Sequence, residues 1–212
     1  MKTNVILFDL DGTLIDSRMD VVHSVEAMLR QLKLPPVDRD LIFRYVGPGV
    51  KPLVRAVLGD RQDLFDDGVR TINDFYSKHL LDNTRLYDGI LDVLKKIQNK
   101  KLGVITNKPQ AHADAILKGL TIDHYFSIVL GAEACTKQKP DPEPIFKAMK
   151  LLGGKPQSTI IVGDTDIDIT AGKRAGIKTC GVLYGFGTAE SLTKAKPDYL
   201  VHSPRELEEI FF

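Results

Sequence analysis

The sequence predicts an α/β fold in which a doubly wound, mostly parallel sheet carries an inserted all-helical segment. Short apolar runs alternate with helical patterns from residue 86 onwards, and such alternation implies right-handed crossovers and a parallel sheet. One more apolar run, VILF at residues 5–8, has the continuous character of a strand buried on both faces. Between residues 16 and 84 no convincing strand appears. The first strand should therefore belong to a Rossmann-like sheet, with the helical segment inserted after it.

The helical segment begins directly after this strand. Asp16 or Ser17 is placed to cap its first helix, and Ser17 with Asp20 resembles a capping box. A proline pair at 35–36 ends that helix. Further helices are predicted at about 38–46, 50–59 and 62–81. We expect a helical unit at residues 16–83, and a core formed by residues 1–15 and 84–212.

The core elements follow in order along the second half of the chain. Helices are predicted at about 88–100, 109–119, 142–152, 166–175 and 204–211. Strands are predicted at 102–106, 127–130, 159–163, 178–183 and 199–201.

Composition limits the kinds of partner. The 212 residues carry a formal net charge of +1, with 43% hydrophobic and 27% charged residues, which is typical of a globular protein. No basic block is present, so we expect neither nucleic acid nor a membrane as a partner. No apolar stretch has the length of a signal-peptide core or a membrane span, which predicts a cytoplasmic location. Cys135 and Cys180 are expected to be reduced thiols.

Two carboxylates follow the first strand, and they indicate a functional site. Asp9 comes directly after the apolar run VILF, and Asp11 follows two positions later. Burial of an unpaired charge costs several kcal/mol, roughly, so these side chains need a cation, hydrogen-bond donors or a mouth that is open to solvent. Ligands of open parallel sheets bind outside the carboxyl ends of the strands.

Other strand ends carry similar chemistry. The run LGVI ends in Thr106 and Asn107, and TIIVG ends in Asp164. Several carboxylates at one sheet edge would repel each other, and Mg²⁺, which prefers oxygen ligands, would remove that problem. We expect Asp9 and Asp164 to bind Mg²⁺, together with the backbone carbonyl of Asp11. A lysine in the loop QKPDPEP, Lys139 or less favourably Lys137, could bind a phosphoryl group.

Taken together, four motifs resemble those of the haloacid dehalogenase (HAD) superfamily. They are DLDGT at 9–13, Thr106 at the end of an apolar strand, Lys139 before Pro140, and GDTDID at 163–168. The resemblance spans nearly the whole chain, since the helical insert falls where that family has a helical cap. The glycines at 47 and 49 and the run VITNKP at 104–109 are most similar to the phosphoglycolate phosphatase branch.

The resemblance implies a Mg²⁺-dependent phosphatase that acts on a small phosphomonoester. Asp9 would be the nucleophile that forms an aspartyl-phosphate, and Asp11 the general acid and then the general base. Thr106, Asn107 and Lys139 would bind the transferring phosphoryl group.

The resemblance also implies supporting roles. Asp168 would orient Lys139 or support the metal ligands from outside, whereas Asp166 is better explained as a helix-cap residue. The cap would close as a lid, and Gly47 and Gly49 of its loop could face the substrate. Arg44 and Lys51 flank that loop and could bind a substrate carboxylate, but for them, as for Lys108, a solvated surface position is the simpler expectation.

Several alternatives stay open at this stage. Within the fold, a sugar phosphomutase or an inorganic pyrophosphatase would share the same core motifs. A binding or regulatory protein without turnover is the alternative from another class. Asp11 itself favours phosphoryl transfer, because a dehalogenase needs no proton for a halide leaving group. The expected partner is a small phosphorylated metabolite, and the oligomeric state, monomer or homodimer, stays open.

Overall fold

The computed structural model describes residues 3–211. Its strands are β1 (Val5–Phe8), β2 (Ile15–Asp16), β3 (Arg85–Leu86), β4 (Lys101–Ile105), β5 (Ile128–Leu130), β6 (Thr159–Gly163), β7 (Lys178–Val182) and β8 (Tyr199–Val201). Its α-helices are α1 (Arg18–Gln31), α2 (Arg39–Arg44), α3 (Val50–Leu58), α4 (Phe65–Tyr76), α5 (Ile90–Ile97), α6 (Gln110–Gly119), α7 (Glu143–Leu152), α8 (Asp166–Arg174), α9 (Ala189–Ala195) and α10 (Leu207–Phe211). The predicted core also takes in residues 1, 2 and 212, which lie outside the described residues.

Six parallel strands form the main sheet, in the order β5-β4-β1-β6-β7-β8. The predicted α/β fold class is therefore confirmed. The first strand of the chain lies between β4 and β6, with Val5 opposite both Lys101 and Thr159. Three strand ends that are far apart in sequence are thus neighbours in space.

Side chains of β1 alternate between two apolar layers, as the pleat of a strand requires. Ile6 and Phe8 pack into the layer that contains residues of α5, α6 and α10. Val5 and Leu7 pack into the layer of α7 and α8. This double burial explains why β1 reads as an unbroken apolar run, and it fixes the position of the residues that follow it.

The four helices of the inserted segment form a separate apolar cluster. Helix α1 packs along α4, and α3 packs on α4 as well. Buried side chains such as Val25, Met28, Leu53, Val54 and Ile72 fill the space between them. We call helices α1–α4 with their connecting loops the cap. No helix in residues 3–211 is both long and apolar enough to cross a membrane.

The two connections between cap and core are joined, which the sequence did not predict. Asp16 lies in β2 and pairs with Arg85 of β3 in an antiparallel, two-stranded sheet. This short pair lies at the expected boundaries of the helical segment, and only Asp16 of it falls within residues 16–83. The helices of the cap therefore begin at Arg18, beyond this pair.

The predicted capping box at the start of α1 is wrong. Ser17 occupies the N-cap position but makes no capping hydrogen bond, and its hydroxyl donates instead to Asp11. Asp20 is buried and accepts hydrogen bonds from Asn83 and Thr84, where the chain leaves the cap. Both side chains therefore bond residues outside α1 rather than the helix end.

Several helices have other limits than predicted, and one helix is new. The helix expected at 62–81 is shorter, because a 3₁₀ turn at Gln62–Leu64 precedes α4 and the helix ends at Tyr76. Helix α9 was not predicted, and it begins with Thr188, whose side chain accepts from the Ser191 amide.

Candidate active site

The carboxyl ends of β4, β1 and β6 bring the predicted site residues together. Asp9 follows β1, Thr106 follows β4 and Asp164 follows β6. All three side chains are buried. Because β1 lies between the other two strands, these residues meet at one edge of the sheet, where open α/β sheets bind their ligands.

Lys139 connects two of the carboxylates. Its ammonium nitrogen lies 2.8 Å from Asp9 Oδ1 and 2.6 Å from Asp168 Oδ1. The other oxygen of Asp168 accepts from the amide and hydroxyl of Thr165, at 3.1 and 2.7 Å, in a capping box at the start of α8. Both oxygens of Asp168 are thus engaged, which suits a residue that positions Lys139.

The surroundings of Lys139 separate it from the competing lysine of the same loop. Asn107 donates to the Lys139 carbonyl at 3.0 Å and so holds the loop against the end of β4. Burial alone would lower the pKa of Lys139, but attraction by Asp168 and Asp9 outweighs it and raises the pKa. Lys137, by contrast, is 68% exposed and pairs with Asp141.

Three carboxylates form an acidic cluster that fits a hard divalent cation. Ligand oxygens of Asp9, Asp164 and Asp168 all lie within 4.8 Å of one another. Burial raises the pKa of Asp9 to about 7, against the pull of Lys139. Burial, reinforced by repulsion from Asp168 and Asp9, also raises the pKa of Asp164 well above its usual range. A bound cation would remove both penalties, and carboxylate oxygens are the ligands that Mg²⁺ prefers.

Asp164 is held from all sides by backbone and by small residues. Its oxygens accept from the Thr13 hydroxyl at 3.3 Å and from the amides of Phe186 and Gly187 at 2.8 and 3.3 Å. A Cβ atom on Gly12, whose φ is +82°, would lie 2.1 Å from Asp164 Oδ2, and one on Gly187 would lie 1.9 Å from the Asp164 carbonyl oxygen. A side chain on Gly12 would therefore displace this carboxylate, and one on Gly187 would displace the backbone of Asp164.

Asp11 has different partners from Asp9. The Ser17 hydroxyl donates to its Oδ1 at 2.5 Å, and the Lys108 ammonium group lies 2.9 and 3.1 Å from its two oxygens. Lys108 is itself buried and stands 4.5 Å from the centre of the Tyr76 ring in the cap. Burial opposes its charge, but Asp11 outweighs that cost and the pKa of Lys108 is raised. The expectation of a solvated Lys108 is wrong.

A cavity of about 70 Å³ separates Asp11 from the cap. Gly47 and Gly49 line it, as does a ring of apolar residues from α1, α3 and α4. A Cβ atom on Gly49 would lie 3.4 Å from the Asn107 carbonyl oxygen, so the cap loop lies close against the core. Arg44 and Lys51 are exposed and stand outside the lining, which agrees with the solvated positions expected for them.

Residues 6–182 match the family described as haloacid dehalogenase-like hydrolases. The chain belongs to this family. It is therefore an enzyme, a hydrolase with the motifs from which the resemblance was inferred. The resemblance to the phosphoglycolate phosphatase branch is supported by the relatives described next.

Two relatives and two solved structures illustrate the similarity. A phosphoglycolate phosphatase of Aquifex aeolicus is 36% identical over 208 residues, which cover 97% of this chain and 95% of the relative. One of Neisseria meningitidis is 36% identical, with coverage of 96% and 92%. The crystal structure of a predicted phosphoglycolate phosphatase from Haemophilus somnus superposes with a TM-score of 0.94 at 30% identity, covering 100% and 99% of the two chains. A haloacid dehalogenase-like hydrolase from Streptococcus pneumoniae gives 0.90 at 27% identity, with 99% of each chain covered.

Sequence reasoning did not identify four features of this site. The roles of Ser17 and Tyr76 depend on how the cap meets the core, and no local pattern reports that contact. Lys108 directly follows Thr106 and Asn107 at the end of a strand, and this position could have indicated that Lys108 belongs to the site. The run GFG at 185–187 was another, because two glycines around one residue after a strand indicate a close approach of the backbone.

Proposed function

We propose that this hydrolase is a Mg²⁺-dependent phosphatase that removes the phosphoryl group from a small metabolite through an aspartyl-phosphate on Asp9. The observation that supports the proposal is the contrast between the two aspartates after β1. Asp9 lies in the acidic cluster beside Lys139. Asp11 lies at the cavity, where a leaving group would stand.

The side chains of the core divide the reaction between them. Asp9 attacks phosphorus in line and forms the covalent intermediate. Asp11 donates a proton to the departing ester oxygen and then takes one from the attacking water. Thr106, Asn107 and Lys139 hold the phosphoryl oxygens, where catalysis of phosphoryl transfer is mainly positioning and neutralisation of charge.

Mg²⁺ is assigned to Asp9, Asp164 and the backbone carbonyl of Asp11. When bound, it supplies positive charge that neutralises phosphoryl oxygens and lets neighbouring carboxylates ionise together. Asp168 is assigned the support of Lys139, because both its oxygens are engaged.

As substrate we propose 2-phosphoglycolate. The relatives from Aquifex aeolicus and Neisseria meningitidis bear its name, and the small volume of the cavity suits a short leaving group. The cytoplasmic location and the choice between monomer and homodimer stay predictions.

A panel of phosphomonoesters tests the proposal. Phosphate release should be greatest for 2-phosphoglycolate with Mg²⁺ and should be lost with a chelator. The Asp9→Asn variant should lose on the order of 10⁴-fold or more in rate, because the nucleophile is gone. Activity that survives Asp9→Asn would contradict the proposed mechanism.

Other outcomes point to the alternatives. Transfer of the phosphoryl group between sugar hydroxyls without steady phosphate release would indicate a mutase. Release from pyrophosphate but from no monoester would indicate a pyrophosphatase. Binding without turnover of any member would leave a regulatory protein.

A further inference from the structure

The cavity between cap and core contains a polar atom that the protein leaves unused. Tyr76 is only 5% exposed, and within residues 3–211 its hydroxyl makes no hydrogen bond of good geometry, although the Lys108 ammonium group lies close to it. The same residue lines the cavity above Asp11. Buried polar groups are nearly always paired, so an unpaired one that faces a cavity indicates a missing partner.

Lys108 provides a positive charge at the same place. Two contacts of its ammonium group go to the oxygens of Asp11, and the group also faces the Tyr76 ring. His112 lines the cavity too, but burial and the charge of Lys108 lower its pKa, which favours the neutral imidazole. Lys108 is therefore the cation of the cavity, and Asp11 is the carboxylate in its lining.

We propose that this cavity binds a carboxylate of the leaving group, with Lys108 supplying the charge and the Tyr76 hydroxyl a hydrogen bond. The inference rests on the proposed function and adds the residues that select the substrate. It also makes the cap a participant in recognition, because Tyr76 belongs to α4 whereas Lys108 follows β4.

The chemistry of a short phosphate ester agrees with this placement. In 2-phosphoglycolate one methylene group separates the ester oxygen from the carboxylate. Asp11 is assigned to the ester oxygen, and the Lys108 ammonium group lies within 3.1 Å of both Asp11 oxygens. A carboxylate one methylene away can therefore reach Lys108 without leaving the reach of Asp11.

Binding of two phosphonates measures the preference without turnover. 3-Phosphonopropionate replaces the ester oxygen of 2-phosphoglycolate by methylene and keeps the carboxylate, whereas propylphosphonate ends in a methyl group. Calorimetry with Mg²⁺ present should show that the wild-type protein binds the first at least 10-fold more tightly, since hydrogen bonds to charged groups are worth roughly 10- to 100-fold in affinity.

Two variants then test the assigned residues. Tyr76→Phe keeps the ring over Lys108 and removes only the hydroxyl, so the ratio of the two affinities should fall by about 10-fold. Lys108→Met should lower the ratio further. The matched control is Tyr199→Phe, since Tyr199 is 42% exposed on β8 at the far edge of the sheet, and its ratio should stay at the wild-type value.

Thermal unfolding of free Tyr76→Phe separates recognition from a structural role. The melting temperature should change little, because the lost hydroxyl makes no hydrogen bond of good geometry within residues 3–211. A wild-type protein that binds both phosphonates equally, or a Tyr76→Phe variant that weakens both equally, would overturn the inference. Hydrolysis of no monoester, with the preference between phosphonates intact, would refute the proposed function alone.

Discussion

Two buried lysines hold the two aspartates that follow the first strand, and they do so in different parts of the molecule. Lys139 forms its ion pairs with two core residues, Asp9 and Asp168. Lys108 joins Asp11 in the core and stands against Tyr76 of the cap. The difference teaches that the ion pairs around Asp9, the proposed nucleophile, lie within the core, whereas those around Asp11, the proposed proton donor, depend on where the cap lies.

The largest expected effect comes from removing Lys139. Lys139→Met should lower the free energy of unfolding by about 3–5 kcal/mol, because it leaves buried carboxylates without their cation. Lys108→Met should cost less, since Asp11 keeps the Ser17 hydrogen bond and faces a cavity that water can enter.

Urea unfolding without Mg²⁺ measures both losses. Lys137→Met is the matched control, because this lysine of the same loop is 68% exposed, and it should stay within about 0.5 kcal/mol of the wild type. Equal losses for the two buried lysines would show that cap and core environments do not differ.

Mg²⁺ should have the next largest effect, and its effect should depend on pH. The pKa of Asp9 is raised from 3.8 to about 7, so between these values the folded state binds more protons than the unfolded state. The stability of the metal-free protein should therefore fall as pH rises from about 4 to about 7.

Melting curves across pH, with Mg²⁺ or with a chelator, check this expectation. At pH 8 the ion should add about 2.7 kcal/mol when present at a hundred times its dissociation constant. At pH 5 it should add much less, because the carboxyls are protonated. In Asp9→Asn the pH-dependent fall should become shallower; an unchanged profile would mean that other groups cause it.

A smaller effect is expected where the cap joins the core. Asp20 accepts from Asn83 and Thr84 at 2.7–3.0 Å. Burial opposes its charge, but these hydrogen bonds outweigh burial and lower its pKa. The resulting stabilisation is complete above the ordinary carboxyl pKa and is lost as pH falls through the lowered value.

Asp20→Asn should therefore cost about 2 kcal/mol at pH 7, since one accepting oxygen becomes a donor facing other donors. Asp82→Asn, at an exposed position nearby, provides the control. If the junction sets the position of the cap, Asp20→Asn should also weaken the preference for 3-phosphonopropionate while leaving the Lys139 region unaffected. A stable Asp20→Asn variant that keeps the wild-type preference for 3-phosphonopropionate would show that the junction does not influence the cavity.

The smallest effect should come from Ser17, which also touches Asp11 from the cap side. Ser17→Ala removes one hydrogen bond to the carboxylate, so the free energy of unfolding should fall by about 1 kcal/mol. The turnover number should fall about fivefold to tenfold, because Asp11 is less well oriented. Ser77→Ala is the control and should change neither, because the exposed Ser77 hydroxyl donates to the Asp74 carbonyl, away from Asp11.

The sequence predicted the parallel sheet well because the relevant signals are local. The run VILF, the apolar run before Thr106 and the run before Asp164 each mark a buried strand by themselves. The β2–β3 pair could not be found in this way, since two residues show no periodicity and their partners lie about seventy positions apart.

The other wrong predictions concern side chains whose partners in the folded protein differ from those that the local sequence suggests. Ser17 and Asp20 have the spacing of a capping box, but Asp11 binds the first and residues 83 and 84 bind the second. The acidic residues of the site could be named from strand ends. The Lys108 and Tyr76 pairing could not, because it depends on how cap and core are oriented.

The central place of β1 has a consequence for biosynthesis. Its residues pair on one side with residues 101–104 and on the other with residues 159–162. At about 5–20 residues per second, the ribosome delivers the second partner on the order of ten seconds after the strand itself. Throughout that interval the apolar segment has an unpaired edge. The sheet around β1 therefore cannot be completed until residues 159–162 have been synthesised, well after the whole cap sequence.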